Sequence, residues 1–364
     1  MSVGELVAVT GAAGFIGRHV VEALLSRGCA VRPIDVAAPQ ELISFWDSAG
    51  CKFAQVDVTD RVKLRAALAG CDAVIHLAGE VDLRSGWVHD ARIRAVNVGG
   101  TAAIIDVCRA EKIGRLIYAS TVTVTLDGVW GRPDLIEKGT GQLCSYGRTK
   151  AEAERLVLDA NSPELRTVAV RPHVVFGPGD GLSSKELLLD PKPAPNFGSC
   201  AVVFTVVYVK NLAALFAALP ARLAAESRHD AVPTEAVAGT ALRVGDAHAM
   251  YRDLRKLMIS CRQEPFAAGY PMQLPFFVAY VLSVFAWLLD NLTLRCLRTG
   301  YSPIRFLVQL TPAALFFMNG ADFYFRKDAY ERVGMAPPFS YPEGVADDLR
   351  AYVASASAAK QKKA

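Results

Sequence analysis

A tyrosine and a lysine stand four residues apart in the sequence, at a spacing that suits proton transfer. Tyr146 and Lys150 fall in a stretch of helical periodicity, residues 145–159, so their side chains share one helix face. A free phenol has a pKa of about 10 and is a poor base at neutral pH. A lysine ammonium one turn away stabilises the phenolate and should lower that pKa. The pair therefore predicts a tyrosine that accepts a proton from an alcohol while hydride leaves.

Two hydroxyl side chains, Ser120 and Thr121, follow the apolar run at residues 116–118, which predicts a strand. A hydroxyl from Thr121 would hydrogen-bond the substrate oxygen and hold it against Tyr146. Ser120 is the neighbouring candidate for a catalytic hydroxyl. The sequence thus predicts a catalytic set of a tyrosine, a lysine and a hydroxyl.

A glycine-rich turn near the N-terminus has the spacing of a dinucleotide-binding loop. Gly11 permits a tight turn, Gly14 lets the backbone approach a pyrophosphate, and Gly17 allows close packing of helix on strand. The helix that follows would present unpaired N–H groups to the phosphates. Asp35 ends the second predicted strand, where a carboxylate binds the ribose hydroxyls and repels a 2′-phosphate. The predicted cofactor is therefore NAD rather than NADP.

Short apolar runs alternate with stretches of helical periodicity through the first half of the chain. The predicted strands cover residues 6–9, 30–34, 53–56, 73–77, 116–118 and 167–170. The predicted helices cover residues 16–27, 61–69, 91–111 and 145–159. This alternation predicts an α/β fold, a Rossmann-type doubly wound parallel sheet with helices on both faces.

The regular alternation ends after Arg171, which suggests a division of the chain into four regions. By analogy with other nucleotide-binding α/β folds, the later segments are expected to build a smaller C-terminal substrate region. The predicted regions are an NAD-binding core that carries the tyrosine and lysine (1–175), a substrate-binding region interleaved with the core (176–262), an apolar membrane-associating segment (263–320), and a C-terminal helix with a basic tail (321–364).

The third region is unusually apolar. No residue between Glu264 and Asp290 is charged, and residues 276–289 are apolar apart from Ser283. Fourteen helical residues span about 21 Å, less than the roughly 30 Å of a hydrocarbon core. Residues 306–318 form a second apolar run. We expect a segment that dips into a membrane surface; a pair of buried helices or a dimer face is the alternative.

Composition excludes several classes of protein. The 364 residues carry 40 Lys and Arg against 36 Asp and Glu, a net charge of +4, which argues against a nucleic-acid-binding protein. A hydrophobic content of 52% excludes disordered and collagen-like chains. The eight cysteines are scattered without a CxxC pair, so free thiols in a reducing compartment are expected and a metal site is not. The N-terminus lacks a signal-peptide pattern, so the catalytic part is expected to face the cytoplasm.

Taken together, these motifs resemble the extended short-chain dehydrogenase/reductase family. The matching stretches are residues 10–17 (TGAAGFIG), 57–58, 76–79 (HLAG), 97–101 (NVGGT), 118–121 (YAST), 146–150 (YGRTK), 171–172 and 175–180. The resemblance implies that the NAD-binding residues are Gly11, Ala13, Gly14, Phe15, Ile16, Gly17, Asp35, Asp57, Val58, Leu77, Ala78, Gly79, Asn97, Tyr146, Lys150, Pro172 and Val174. It also favours Thr121 over Ser120 as the catalytic hydroxyl.

The second half looks most similar to the 3β-hydroxysteroid dehydrogenase group, on residues 207–213 (VYVKNLA), 238–246, 310–312 and 327–334. Ala119 and residues 335–337 depart from that group's pattern. The resemblance implies oxidation of a steroid or sterol 3β-hydroxyl to a 3-ketone, followed by double-bond isomerisation or loss of a 4-carboxyl group. A nucleotide-sugar epimerase or dehydratase, or a non-catalytic NAD-binding sensor, is the alternative.

The resemblance and the tail together suggest a location. Members of the group commonly carry a hydrophobic membrane-attaching segment near the place of residues 276–289. Residues 360–364 (KQKKA) resemble a dilysine retrieval signal, which together with the apolar segment points to the endoplasmic reticulum membrane. A solvated basic tail is the alternative interpretation. The sequence leaves the oligomeric state open, and the resemblance suggests a homodimer because a dimer face of two helices is common among these enzymes.

Overall fold

The computed structural model describes residues 4–81, 87–125, 145–180, 188, 196–197, 203–228, 235–262, 273–275, 277–278, 281–282, 284–285 and 328–361. Its strands are Leu6–Thr10 (β1), Ala30–Asp35 (β2), Ala54–Gln55 (β3), Ala73–His76 (β4), Arg115–Ala119 (β5), Arg166–Pro172 (β6), Val174–Phe176 (β7), Asn196–Phe197 (β8), Val203–Tyr208 (β9), Thr240–Val244 (β10), Ala247–Met250 (β11) and Gln273–Leu274 (β12). Its α-helices are Phe15–Ser26 (α1), Gln40–Ser48 (α2), Arg61–Leu68 (α3), Trp87–Arg94 (α4), Thr101–Ala110 (α5), Ser145–Asp159 (α6), Val209–Ser227 (α7), Tyr251–Ser260 (α8), Ala329–Val333 (α9) and Glu343–Gln361 (α10).

Seven parallel strands form the main sheet, in the order β10-β6-β5-β4-β1-β2-β3. The chain runs outward from β1 to β3 and then crosses back to β4 on the other side of β1. In open sheets of this kind, a ligand binds at the carboxyl ends of the two strands where the order reverses. The switch point lies between β1 and β4. The carboxyl end of β1 leads into the glycine-rich turn, and that of β4 leads into the HLAG stretch.

Helices cover both faces of this sheet, which confirms the doubly wound Rossmann fold. Helices α1 and α7 pack on one face, and α3, α5 and α6 pack on the other. Every residue of β4 is buried, as expected for a central parallel strand that is covered on both faces. The predicted strands are continuous hydrophobic runs for the same reason.

The predicted helix at residues 91–111 is interrupted. A π-helical turn, Ala95–Gly100, separates α4 from α5. Within this turn, a side chain on Gly100 would place its Cβ 2.6 Å from the Cγ2 atom of Val58. Such turns occur frequently at functional sites. The wider turn therefore brings Asn97 and Gly100 close to the loops at the carboxyl edge of the sheet.

A second, three-stranded sheet has the order β11-β9-β7 and packs with α8 and α10. Its core contains aromatic side chains from the strands, such as Phe176 and Tyr208, and apolar side chains from the two helices, such as Met258 and Leu349. The division of the whole chain into the four predicted regions stays a prediction.

Within the described residues, no helix combines the length and apolar character needed to cross a membrane. The predicted apolar runs at 276–289 and 306–318 lie mostly outside the described residues. Helical backbone is described at 277–278, 281–282 and 284–285.

Candidate active site

The glycine-rich turn links β1 to α1 and touches the loop that follows β4. Gly11 has a φ of +70°, and a Cβ atom there would lie 2.7 Å from the backbone nitrogen of Ala78. A Cβ atom on Gly17 would overlap the backbone oxygen of Gly11. Among the described residues, no side chain caps α1 at Gly14. The N–H groups of its first turn are therefore available to a phosphate.

Asp35 lies beside this turn, at the end of β2. Its Oδ2 atom accepts a hydrogen bond of 2.9 Å from the backbone N–H of Ala13, and its Oδ1 atom accepts one of 2.7 Å from that of Val36. These bonds fix a half-buried carboxylate next to the glycine-rich turn. The arrangement fits a dinucleotide, because the helix N-terminus would face the phosphates and the carboxylate the ribose hydroxyls.

A buried hydrogen-bond chain holds the loop after β4. Thr10 and His76 are register neighbours, and the Thr10 hydroxyl donates to Nδ1 of His76 at 2.7 Å. Nε2 of His76 donates to the Thr101 hydroxyl, which donates to the backbone oxygen of Asn97. The Thr10 hydroxyl also accepts from the backbone N–H of Ala78. This direction of donation assigns the Nε2–H tautomer to the imidazole.

Burial and the nearby charge of Lys150 lower the pKa of His76 to about 3. The imidazole is therefore neutral at physiological pH and fully committed to this chain of hydrogen bonds. His76 thus orders the ends of β1 and β4 and is not free to act as a base.

Asn97 connects the loop after β4 to α6. Its Oδ1 atom accepts from the backbone N–H of Glu80 at 2.8 Å, and its Nδ2 atom donates to the Glu80 oxygen at 3.0 Å and to the Thr149 hydroxyl at 3.2 Å. A Cβ atom on Gly79 would lie 3.2 Å from Asn97 Oδ1 and 3.9 Å from Lys150 Nζ. The structure therefore brings Gly79, Asn97 and Lys150 together, and their roles in cofactor binding stay predictions.

Lys150 is buried at the carboxyl end of β5. Its ammonium donates a hydrogen bond of 2.5 Å to the backbone oxygen of Ala119 and lies 4.1 Å from the ring centroid of Tyr118. Burial lowers the pKa of Lys150 to about 7, and the negative charge of Glu154 opposes this effect. Tyr146 is half-buried one helical turn earlier on α6. The Tyr–Lys pair is thus held against the end of the sheet with a lysine that titrates near neutral pH.

The two candidate hydroxyls are in different surroundings. Ser120 donates a buried hydrogen bond of 2.5 Å to Oε2 of Glu154. The Thr121 hydroxyl lies 2.9 Å from that of Thr123 and accepts from the Thr123 backbone N–H at 3.2 Å. Because Ser120 points into a buried ion pair, this geometry favours Thr121 as the hydroxyl that meets a substrate.

The remaining predicted cofactor residues also follow strand ends or begin α1. Asp57, after β3, is exposed and accepts two bonds from Thr59, while Val58 is buried. The others are placed by these elements: Phe15 and Ile16 begin α1, Leu77 follows β4, Pro172 ends β6, and Val174 begins β7. Their roles in binding stay predictions.

Sequence reasoning missed Glu154, whose carboxylate accepts a hydrogen bond from Ser120, the residue that follows β5. The signal was present in the sequence: Tyr146, Lys150 and Glu154 repeat every four residues and so share one helix face. Its partner Arg171 was noted only as part of a motif, and its contact with Glu154 depends on the sheet topology.

A glycine-rich turn at the switch point of a Rossmann sheet, with a Tyr–Lys pair on the adjoining helix, defines a short-chain dehydrogenase/reductase. The model of the 3-beta hydroxysteroid dehydrogenase/isomerase family matches residues 8–259. The chain belongs to this family, and the resemblance predicted from its motifs is confirmed.

Curated relatives include human sterol-4-alpha-carboxylate 3-dehydrogenase, decarboxylating, which is 34% identical over 181 residues (47% of this chain and 45% of that protein). The 2-alkyl-3-oxoalkanoate reductase of Shewanella oneidensis is 33% identical over 181 residues, with the same two coverages. The chain spans about half the length of the curated relatives it matches.

Among solved structures, the UDP-glucose 4-epimerase of Thermus thermophilus in complex with NAD is similar in fold. The TM-score is 0.63 at 19% identity, over 95% of this chain and 99% of that one. At this identity the likeness supports the fold alone. NAD, the cofactor that the sequence predicts, is the one named for that structure.

Proposed function

We propose that the protein is an NAD-dependent dehydrogenase that oxidises the 3β-hydroxyl of a sterol-type substrate to a 3-ketone. The observation that carries the proposal is the burial of Lys150 against the end of β5, one helical turn from Tyr146 and next to Gly79 at the switch point. Membership of the 3-beta hydroxysteroid dehydrogenase/isomerase family supports the same chemistry.

In the proposed reaction, the Tyr146 phenolate accepts the proton of the substrate hydroxyl. The Lys150 ammonium stabilises that phenolate and, by family resemblance, binds the nicotinamide ribose. Thr121 donates a hydrogen bond to the substrate oxygen and keeps it in place. The cofactor would be held by the glycine-rich turn, Asp35 and the loop after β4. NAD, when bound, supplies the acceptor for the hydride from C3.

The substrate we favour carries a carboxyl group next to the reacting carbon. The printed names of the human and Shewanella relatives describe a 4-carboxylate with a 3-dehydrogenase and a 3-oxoalkanoate. Both names describe an oxygen function at the carbon β to a carboxylate. Oxidation at C3 would make a 3-keto acid, whose bond to the carboxyl carbon breaks to give CO2 and an enol. Double-bond isomerisation after oxidation is the other outcome that the sequence leaves open.

Exposed apolar side chains support a membrane surface as the place where such a substrate is met. Phe277 is 75% exposed and Phe285 is 65% exposed, and Val278, Val281 and Leu282 between them are also exposed. These residues repeat at helical spacing, so they form one apolar face. We propose that this face attaches the protein to the membrane, with the endoplasmic reticulum as the proposed location and homodimerisation as a further expectation.

A substrate panel tests the proposed function. Detergent-solubilised protein and NAD would be incubated with a 3β-hydroxysterol, a 4-carboxysterol and UDP-glucose, and NADH, CO2 and the conversion of UDP-glucose to another nucleotide sugar would be measured. We expect NADH from the sterols and an equimolar release of CO2 from the 4-carboxysterol. Turnover of UDP-glucose without turnover of a sterol would instead place the protein among nucleotide-sugar epimerases. Cofactor binding without any turnover would favour an NAD-binding sensor.

A further inference from the structure

A buried ion pair lies directly beneath the proposed catalytic residues. Arg171, at the end of β6, donates hydrogen bonds of 2.9 Å to Oε2 and 2.5 Å to Oε1 of Glu154 on α6. The Ser120 hydroxyl donates a third bond of 2.5 Å to Oε2. Ser120, Glu154 and Arg171 are 4%, 5% and 3% exposed. A carboxylate this deeply buried is stable only while its partners remain in place.

These contacts fix the backbone at the end of β5. Ser120 stands between Ala119, whose backbone oxygen accepts from Lys150, and Thr121, the proposed catalytic hydroxyl. The backbone N–H of Ser120 also donates a bond of 2.7 Å to the oxygen of Val170 on β6. Because both the side chain and the backbone of Ser120 are held, its two neighbours have little freedom to change direction.

The negative charge of Glu154 also acts on the pKa of Lys150. It opposes the lowering of the Lys150 pKa that burial causes, and it contributes to a raised pKa of Tyr118. The titratable or charged groups that face this pair come from four elements: Tyr146 on α6, Tyr118 on β5, His76 on β4 and Arg171 on β6. His76 is neutral at physiological pH, so the charged neighbours of Lys150 in this group are the two members of the Glu154–Arg171 ion pair.

We propose that Glu154 is a positioning residue of the Tyr146–Lys150 pair: held by Arg171 and Ser120, its carboxylate fixes the end of β5 and keeps a negative charge one helical turn from the Lys150 ammonium. This inference rests on the proposed function, in which Lys150 must be cationic to stabilise the Tyr146 phenolate. Glu154 acts through Lys150 and Ser120 and touches neither substrate nor cofactor. Ser120 is a second positioning residue by the same argument.

Glu154→Gln tests the role of the charge, because glutamine keeps the shape of the side chain and can still accept from Ser120. Without the carboxylate, Lys150 loses its proton at a lower pH, and a neutral lysine no longer stabilises the Tyr146 phenolate. Glu154 is one helical turn from Lys150 and two from Tyr146, so this effect through the lysine outweighs the direct repulsion between the carboxylate and the phenolate, and the phenolate forms at a higher pH. We expect the acid limb of the kcat profile for NADH formation to move up by about one pH unit, with kcat at pH 7 reduced about tenfold. The KM for NAD should stay within about twofold of the wild-type value.

Two further variants separate this role from a structural one. Glu152→Gln removes a half-buried carboxylate on the same helix, which pairs with the exposed Arg94 at 2.7 Å, and should leave the profile unchanged. Glu154→Gln leaves Arg171 buried without its anion, which can prevent folding. Glu154→Gln combined with Arg171→Met removes both charges, and we expect the same direction of shift in that folded double variant. A double variant with the wild-type profile would overturn the proposal.

A titration without substrate keeps this inference separate from the proposed function. The absorbance of tyrosinate is measured against pH in the wild-type protein and in each variant. The signal of the same protein carrying Tyr146→Phe is then subtracted to isolate the titration of Tyr146. We expect the isolated transition to move to higher pH in both Glu154 variants and not in Glu152→Gln. Absence of turnover with every sterol would reject the proposed function, whereas an unmoved Tyr146 transition would reject the role of Glu154.

Discussion

The ammonium of Lys150 donates a 2.5 Å hydrogen bond to the backbone oxygen of Ala119, the last residue of β5. This bond joins the helix that carries Tyr146 to the strand end that carries Thr121. It also places a lysine of lowered pKa, about 7, within a largely buried site. The bond to Ala119 therefore fixes the position of Lys150, and burial lowers its pKa.

Burial of the Lys150 ammonium should make the stability of the protein depend on pH. The folded-state pKa of about 7 lies below the pKa of a free lysine, so between these values the unfolded chain binds more protons. The stability of the wild-type protein should therefore rise with pH above 7. Lys150→Met removes this titration, so its Tm relative to wild type should be highest at pH 6 and should fall steadily towards pH 10. A constant difference in Tm across this range would contradict the lowered pKa.

The conformation and contacts of Gly11 predict a severe effect of a single methyl group. Gly11→Ala should abolish NADH binding, because the Cβ atom would meet the backbone of Ala78 at 2.7 Å. Gly28→Ala is the matched control, since Gly28 has a similar φ of +76° and a Cβ atom there would have no neighbouring atom within 4 Å. The control should lose about 1–2 kcal/mol of stability from backbone strain and keep its NADH affinity. Binding is measured by NADH fluorescence.

Asp35 is predicted to determine the preference for NADH over NADPH. Asp35→Asn keeps an oxygen acceptor for the N–H of Ala13 but removes the negative charge. NADH affinity should fall about tenfold because a charged acceptor for the ribose is lost. NADPH affinity should rise, because a 2′-phosphate no longer meets a carboxylate. Asp47→Asn, an exposed site on α2, serves as the control. An unchanged ratio of the two dissociation constants would exclude Asp35 from ribose recognition.

The exposed apolar face at residues 277–285 predicts binding to lipid. Wild-type protein should float with phosphatidylcholine vesicles in a density gradient, and Phe277→Ser with Phe285→Ser should reduce the floating fraction several-fold by removing apolar area. Val62→Ser removes a side chain on α3 that is also highly exposed, and it should have no effect. Equal flotation of all three proteins would exclude this face as the attachment site.

The parts of the fold that local sequence determines could be predicted. Central strands such as β4 are buried on both faces, so they read as continuous apolar runs. The positions of the glycine-rich turn and of Asp35 at the end of β2 could be predicted because both depend on backbone geometry at fixed spacing. Tyr146 and Lys150 share a helix face, so their proximity follows from helical geometry alone.

Other features depend on contacts between distant parts of the chain and could not be predicted. The π-helical turn at Ala95–Gly100 interrupts a stretch whose periodicity predicts one continuous helix, and the contact of Gly100 with Val58 becomes visible only after folding. The ion pair of Glu154 and Arg171 crosses from α6 to β6. Ser120 and Thr121 are adjacent and chemically similar, and only the structure shows that Ser120 is held by that ion pair.

The most direct test of the proposed chemistry compares wild-type protein with Tyr146→Phe. The kcat for NADH formation from a 3β-hydroxysterol or a 4-carboxysterol would be measured at pH 7.5 in detergent, together with NADH affinity by fluorescence. We expect kcat to fall about 10²- to 10⁴-fold because the general base is lost, while the dissociation constant for NADH stays within about twofold. A variant that keeps wild-type turnover with a sterol would contradict the assignment of Tyr146 as the base.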